Sequence, residues 1–163
     1  MAAPNPSLRQ TIDETLRGFL MGYEDAREKK DASQVNRLLT PECGRHISPS
    51  SFVKTMGMPS DLAFVPKAYE EKIGAEMQVQ GVTRTEISNV VIDAEARTAA
   101  AMSVHHGECS DGEKFALEFA WFLNFSDDGT KIVKVREWID GPEAIKFQGK
   151  VQSLMGQLKG ETV

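Results

Sequence analysis

Cysteine is scarce: Cys43 and Cys109 are the two in 163 residues. A pair of cysteines cannot supply the disulfide framework of a small secreted domain, so a reducing, cytoplasmic setting is expected. Long apolar runs are also missing. No stretch approaches the roughly 18 consecutive apolar residues of a membrane span, and Met1 to Ser7 has neither a basic patch nor an apolar run, which predicts no secretory leader and no membrane partner. Positive charge is not in excess, since 19 Lys and Arg stand against 24 Asp and Glu for a net charge of -5. The basic residues are scattered rather than gathered on one face, which argues against a nucleic-acid partner. Gly-x-Gly-x-x-Gly, a phosphate-cradling loop ending in Gly-Lys-Ser/Thr, and a Gly-x-Ser-x-Gly elbow are all absent. No nucleotide cofactor and no serine-hydrolase chemistry is therefore expected. Cys43-x-x-His46 and His106-x-x-Cys109 have the look of metal half-sites. On extended backbone, however, residues three apart point to opposite faces, and no metal is expected either.

What remains is the composition of a folded domain, with 40% hydrophobic and 26% charged residues. The length suits one domain over residues 1–163. Asn5-Pro6 reads as a helix start, with Asn as cap and Pro at the first helical position. Leu8, Ile12, Leu16, Phe19, Leu20 and Tyr23 then recur at spacings of three and four, predicting a long amphipathic helix to about Lys30. Asp31 with Gln34 resembles a capping arrangement and predicts a short second helix through Val35, Leu38 and Leu39, ended by Pro41. Further helices are expected from Pro49 and from Pro66, the latter with Tyr69, Ile73 and Met77 on one face.

From about Gln78 the chain turns rich in Val, Ile, Thr and aromatics, interrupted at Asp93-Ala-Glu, Asp111-Gly112 and Asp128-Gly129. Such breaks between apolar runs signal hairpins. Four antiparallel strands are predicted, Val82–Asp93, Arg97–Cys109, Lys114–Phe125 and Lys131–Asp140. A final helix from Pro142 should bury Ile145, Phe147, Val151, Leu154 and Leu158. Helices first and a meander after them mean an α+β fold, with helices on one face of a curved sheet. In the third strand Phe115, Leu117, Phe119, Trp121, Leu123 and Phe125 share one phase and predict a dry face. The other phase is mixed, and its apolar members suggest a dimer interface.

The last strand carries the chemical signal. Val133, Val135, Glu137 and Ile139 share a phase that is apolar except for one carboxyl. A carboxylate on a buried face costs several kcal/mol unless compensated, so Glu137 is a candidate acid, base or electrostatic anchor. Arg37, on the predicted second helix, is its expected partner. His105 and His106 point to opposite faces of their strand. His106 shares its phase with Met102 and Val104 and is the one expected inside, with His105 as the alternative; either suits proton transfer. Tyr69 is a candidate hydrogen-bond donor to a ligand, His46 a further ligand contact, and Phe115, Phe119 and Trp121 the expected apolar walls.

The order of elements, with Asn36-Arg-Leu-Leu-Thr-Pro-Glu-Cys, Phe-Ala-Leu-Glu-Phe-Ala-Trp-Phe-Leu and Lys-Ile-Val-Lys-Val-Arg-Glu-Trp-Ile-Asp, resembles the SnoaL-like branch of the nuclear-transport-factor-2-like superfamily over nearly the whole chain. The resemblance extends to fungal stand-alone members that tailor polyketides, meroterpenoids and indole alkaloids. It implies a cone-shaped sheet, a homodimer, and cofactor-free isomerase or cyclase chemistry on a small hydrophobic substrate. It also implies an arginine on the second helix and an acid on the last strand, matched here by Arg37 and Glu137. The histidine of scytalone dehydratase is matched by Thr85, which departs from dehydratase chemistry. A non-catalytic ligand-binding or dimerisation domain of the same fold is the alternative.

Overall fold

The structure, a computed structural model, describes residues 6–160. Helix α1 (Leu8–Lys29) buries Ile12, Leu16, Phe19 and Leu20, the stripe that the spacing predicts. The expected cap Asn5 lies outside the described residues, and Ser7 caps the helix, its Oγ accepting from the Gln10 N–H at 3.2 Å. Asp31 caps as expected, but the element that follows is a single 3-10 stretch, Ala32–Asn36, and not a helix reaching Leu39. The chain then enters a strand that the sequence pattern hides, β1 (Leu39–Ser48). Proline inside a strand argues against strand formation because it donates nothing to the ladder. Pro41 is tolerated because the register with the neighbouring strand shifts between Leu39 and Gly44, so no ladder bond is lost there.

Helix α2 (Ser50–Thr55), strand β2 (Ala63–Phe64) and helix α3 (Pro66–Glu76) follow, the last with Pro at its start as predicted. Strands β3 (Gln80–Asp93), β4 (Thr98–Cys109), β5 (Lys114–Phe125) and β6 (Ile132–Ile139) form the expected meander, and α4 (Gly141–Leu158) closes the fold. The sheet has six strands, two more than predicted, in the order β2-β1-β6-β5-β4-β3. Every pairing is antiparallel except β1 with β6, which is parallel. The helices pack against one face of the curved, unclosed sheet.

Cross-strand volumes explain which phase of β4 faces inward. Ala99, Ala101 and Ser103 stand opposite Leu123, Trp121 and Phe119 of β5. Small residues on β4 make room for large ones on β5, so the dry face of β4 is the phase with little bulk, and Met102 lies on the outer face, 43% exposed. Trp121 is fully buried, and its indole N–H donates to Ser103 Oγ at 2.8 Å. In β6 the register slips between Asn124 and Phe125 of its partner. Ile132 thereby takes the buried position expected for Val133, which is exposed. On α4, Ala144, Val151 and Leu154 are buried and Phe147 packs beside them, while Ile145 and Leu158 are exposed, contrary to expectation.

Gly107 of β4 permits the close approach that shapes this end of the molecule. A Cβ there would lie 2.1 Å from Phe115 Cζ and 2.5 Å from the Gly81 carbonyl oxygen. The Phe115 ring occupies that space and meets Phe147 at 4.4 Å between centroids. Gly149, in the interior of α4, has nothing within 4 Å of the corresponding position. The two glycines should respond with opposite signs in urea denaturation. Gly107→Ala is expected to lose about 1–3 kcal/mol by overpacking, whereas Gly149→Ala is expected to gain up to about 1 kcal/mol through helix propensity.

Candidate functional site

Between α1, α3, α4 and the inner face of the sheet lies a cavity of about 360 Å³. This is within the size range of small-molecule sites, roughly 300–1,000 Å³. Its walls are largely apolar: Ile47, Phe52, Met56, Ile73, Val82, Phe115, Leu117, Phe119, Ile139 and Phe147 all contribute. Polar groups converge at one end, where Tyr23, Tyr69, His105 and Glu137 meet the cavity.

Glu137 sits there as its strand phase predicts, only 4% exposed. Its partner is not Arg37. The cation is Arg45 of β1, fully buried, with Nη2 at 3.5 Å from Glu137 Oε2. The parallel register sets Arg45 opposite Val135 and Ile47 opposite Glu137, so the two charged side chains are diagonal neighbours on the inner face. Arg37 instead leaves the 3-10 stretch toward the back of α1. There it pairs with Asp25 at 2.7 Å and donates to the Gly18 carbonyl at 3.1 Å, partly exposed and remote from the cavity lining. Its role is to fasten the turn to the helix.

Arg45 organises the remaining polar groups. Its Nη2 donates to Tyr23 Oη at 2.7 Å, and the Tyr23 and Tyr69 hydroxyls are 2.8 Å apart. The Tyr69 ring lies over the guanidinium, 3.6 Å from centroid to Cζ, a stacked arrangement that compensates a desolvated cation. Tyr23 Oη accepts from Arg45, and either phenol can donate to the other, so Arg45, Tyr23 and Tyr69 form one hydrogen-bonded chain along the polar end of the cavity. Burial pushes both phenols up, the Tyr69 hydroxyl well above the usual range, so both are neutral donors. Burial likewise raises the Glu137 carboxyl, against the opposing pull of Arg45 and then Lys72.

His105, not His106, faces the cavity. It is 3% exposed and packs edge-on against Tyr23 at 4.8 Å and Phe119 at 5.1 Å. Burial, followed by the charge of Arg45, pushes its pKa down to about 3, so the imidazole is neutral. His106 lies on the outer face, 3.4 Å from Glu86. The bulkier phase of β4, with Met102, lies on the outer face, so bulk does not mark the inward residues of this strand. His46 is also on the outer side of β1, where burial and then Arg136 and Lys134 lower its pKa, and it is no part of the cavity. Trp121 stands behind His105 and Phe119 rather than forming a wall. Tyr69, Phe115 and Phe119 line the cavity as expected.

Of the residues that line the cavity, Glu137 and His105 each have a buried atom, Oε2 and Nε2, with no hydrogen-bond partner among the described residues. Leaving such atoms unsatisfied costs about 1–3 kcal/mol each. Arg45 was the residue missed by pattern reading. Its signal is the alternation Cys43, Arg45, Ile47, which becomes visible once the segment after Pro41 is taken as extended. Cys43 and Cys109 are buried free thiols, and no cluster of three or more metal-ligating side chains exists among the described residues.

No family model matches the chain. Among curated proteins it is similar to Monooxygenase dmxR10 of Cryptosporiopsis sp. (strain 8999), 30% identical over 154 residues, which is 92% of this chain and 93% of that protein. Among solved structures it is similar to the BvnE pinacolase from Penicillium brevicompactum, with a TM-score of 0.71 at 16% identity over 94% of this chain and 97% of that one. A nuclear-transport-factor-2-like protein of unknown function from Burkholderia pseudomallei gives 0.55 at 12% identity over 83% and 95%. With the relative covered over nearly its whole length, the chain belongs to one family with Monooxygenase dmxR10, and it shares the fold of the nuclear-transport-factor-2-like protein.

Proposed function

We propose that this protein is a cofactor-independent isomerase or cyclase that rearranges a hydrophobic secondary metabolite by acid/base chemistry in its apolar cavity. The observation that carries this reading is the buried carboxyl of Glu137, incompletely paired with Arg45 at the polar end of a greasy cavity and beside the Tyr23 and Tyr69 hydroxyls. A raised carboxyl is suited to both taking and returning a proton near neutral pH. Glu137 removes a proton from carbon next to a substrate carbonyl. Tyr69 donates a hydrogen bond to the charge that develops on the oxygen and stabilises it. Return of the proton at another carbon completes the isomerisation with no change of mass. His105 is a neutral hydrogen-bond partner in this scheme and not a proton carrier. The name of the BvnE pinacolase and the apolar lining support the substrate class.

A second reading is favoured by the curated relative, whose name is that of a monooxygenase. The two readings part on mass. A panel of hydroxylated polycyclic ketones, incubated with the protein in D2O under 18O2, is expected to show solvent deuterium at carbon without 18O. Products carrying 18O would replace the isomerase reading by the oxygenase one. Glu137→Gln is expected to slow this deuterium uptake by about 10²–10⁴-fold, and Tyr69→Phe by about 10²-fold. Wild-type rates in a folded Glu137→Gln protein would remove Glu137 from the chemistry.

The neutral state of His105 has a thermodynamic signature. Its folded pKa of about 3 lies below the ordinary 6.5, so its contribution to stability is full above pH 6.5 and is lost as the pH falls toward 3. Glu137, raised when folded, acts in the opposite sense, and comparison with a His105→Phe protein isolates the histidine. Below pH 6.5 the wild type is expected to lose stability relative to that variant by about 1.4 kcal/mol per pH unit. Parallel stability profiles for the two proteins would show that His105 is not held neutral.

We further propose a homodimer through the outer face of the sheet, in the reducing cytoplasm that the buried free thiols Cys43 and Cys109 suit. Met102, Ala120 and Trp138 form one cross-strand row there and Ala100, Phe122 and Arg136 the next, with Phe122 50% and Trp138 46% exposed. A double Phe122→Glu, Trp138→Glu variant is expected to sediment as a monomer where the wild type sediments as a dimer. Equal sedimentation of the two would refute this interface.

A further inference from the structure

The charges around the cavity are paired with one exception. Arg45 has Glu137 at 3.5 Å, and Lys72 has Glu76 at 2.5 Å, where the Glu76 side chain is itself buried. Arg27, in the last turn of α1, also borders the cavity; it is exposed at the cavity mouth and has no carboxylate partner among the described residues. It is also seated. A Cβ on Gly81 would come within 2.7 Å of Arg27 Cδ and 2.9 Å of Cγ, so the arginine stem lies flat across backbone that only glycine leaves open. The neighbouring polar side chains at the cavity, Gln80, Gln148 and Gln152, are uncharged.

Position along α1 gives the spacing. Tyr23 and Arg27 are four residues apart and so share a face, about 6 Å from each other along the axis. The cavity therefore has a donor-and-carboxyl end at Tyr23, Tyr69 and Glu137, and an uncompensated cation roughly one ring's width away. A guanidinium with free N–H groups recognises oxyanions by paired donors.

We propose that Arg27 is an anion-recognition residue, and that the substrate is an apolar polycyclic molecule carrying one acidic group, a carboxylate or phenolate, which Arg27 holds while the reacting carbon lies at Glu137. This rests on the reading of the cavity as the substrate site and adds the charge of the substrate to it. A basic residue in the last turn also suits the helix dipole, but that role is indifferent to what the cavity holds.

Two fluorescent probes with the same apolar body test the assignment without catalysis: 8-anilinonaphthalene-1-sulfonate, which is anionic, and N-phenyl-1-naphthylamine, which is neutral. Both are titrated in a Trp138→Glu background, which disrupts the apolar outer patch. Arg27→Met is expected to weaken the anionic probe by about tenfold, as a charge-assisted hydrogen bond is lost, and to leave the neutral probe unchanged. Arg27→Lys keeps the charge and should retain part of the preference. Salt should weaken the anionic probe in the parent and not in Arg27→Met. Gly81→Ala, once its fold is verified by circular dichroism, should shift toward the Arg27→Met pattern because its Cβ displaces the arginine stem. Equal losses for both probes, or none for the anionic one, would overturn the anion site while leaving the cavity reading intact. Failure of both probes to bind would overturn the cavity reading as well.

Discussion

The rest of the site depends on the buried contact of Arg45 with Glu137. Two charges removed from water are costly, and their mutual attraction offsets that cost only when further groups satisfy them. Here the guanidinium is supported by the Tyr69 ring and the Tyr23 hydroxyl, while the carboxyl receives one long contact at 3.5 Å. The pairing is incomplete on both sides: Arg45 Nε and Nη1, like Glu137 Oε2, have no hydrogen-bond partner among the described residues. Desolvation therefore wins at Glu137, whose carboxyl is raised despite the adjacent positive charge. A fully satisfied carboxylate would be a poor acid and a poor base. The incomplete pairing keeps this one reactive under the proposed chemistry.

This arrangement needs a strand in a particular place. Arg45 reaches Glu137 because β1 lies beside β6 in parallel register. Parallel neighbours require a long connection, and here it is about half of the chain, from Ser48 round to Ile132. The same inner face carries the small residues of β4 opposite the aromatics of β5, which brings His105 against Phe119 and walls it off from water. The polar end and the apolar walls thus follow from one alternation, inward and outward, along adjacent strands.

That alternation decides what could be read beforehand. Where a strand is strongly patterned, as in Lys114–Phe125, the inward residues are evident from the chain alone, and Glu137 stands out as the one carboxyl in an apolar phase. Where the pattern is weak, inference fails for identifiable reasons. Pro41 conceals β1, and with it Arg45, because a bulge excuses a proline that a regular ladder would reject. His105 is hidden because the inward phase of β4 is made of alanine and serine, their lack of bulk answering Trp121 across the strand gap. Val133 is misplaced by a register slip that no single-strand pattern can contain. For Arg37, position on the segment after α1 does not fix side-chain direction, and Asp25 on the helix captures it.

The monooxygenase name of the curated relative and the isomerase chemistry proposed above are less opposed than they look. Removing a proton beside a carbonyl or on a phenolic ring leaves an electron-rich carbanion. If a proton returns at a different carbon, the outcome is an isomer. If dioxygen meets the same carbanion, the substrate itself supplies the electrons, and an oxygenated product forms with water as the second product. The demand on the protein is the same up to that point: a carboxyl poised to take the proton, a donor to spread the charge, and apolar walls around both. Under the roles proposed above, Glu137 and Tyr69 with the Phe115 and Phe119 walls would serve either outcome. What separates the two outcomes is whether dioxygen reaches the carbanion before the proton is returned, and that is a property of the walls rather than of the polar end.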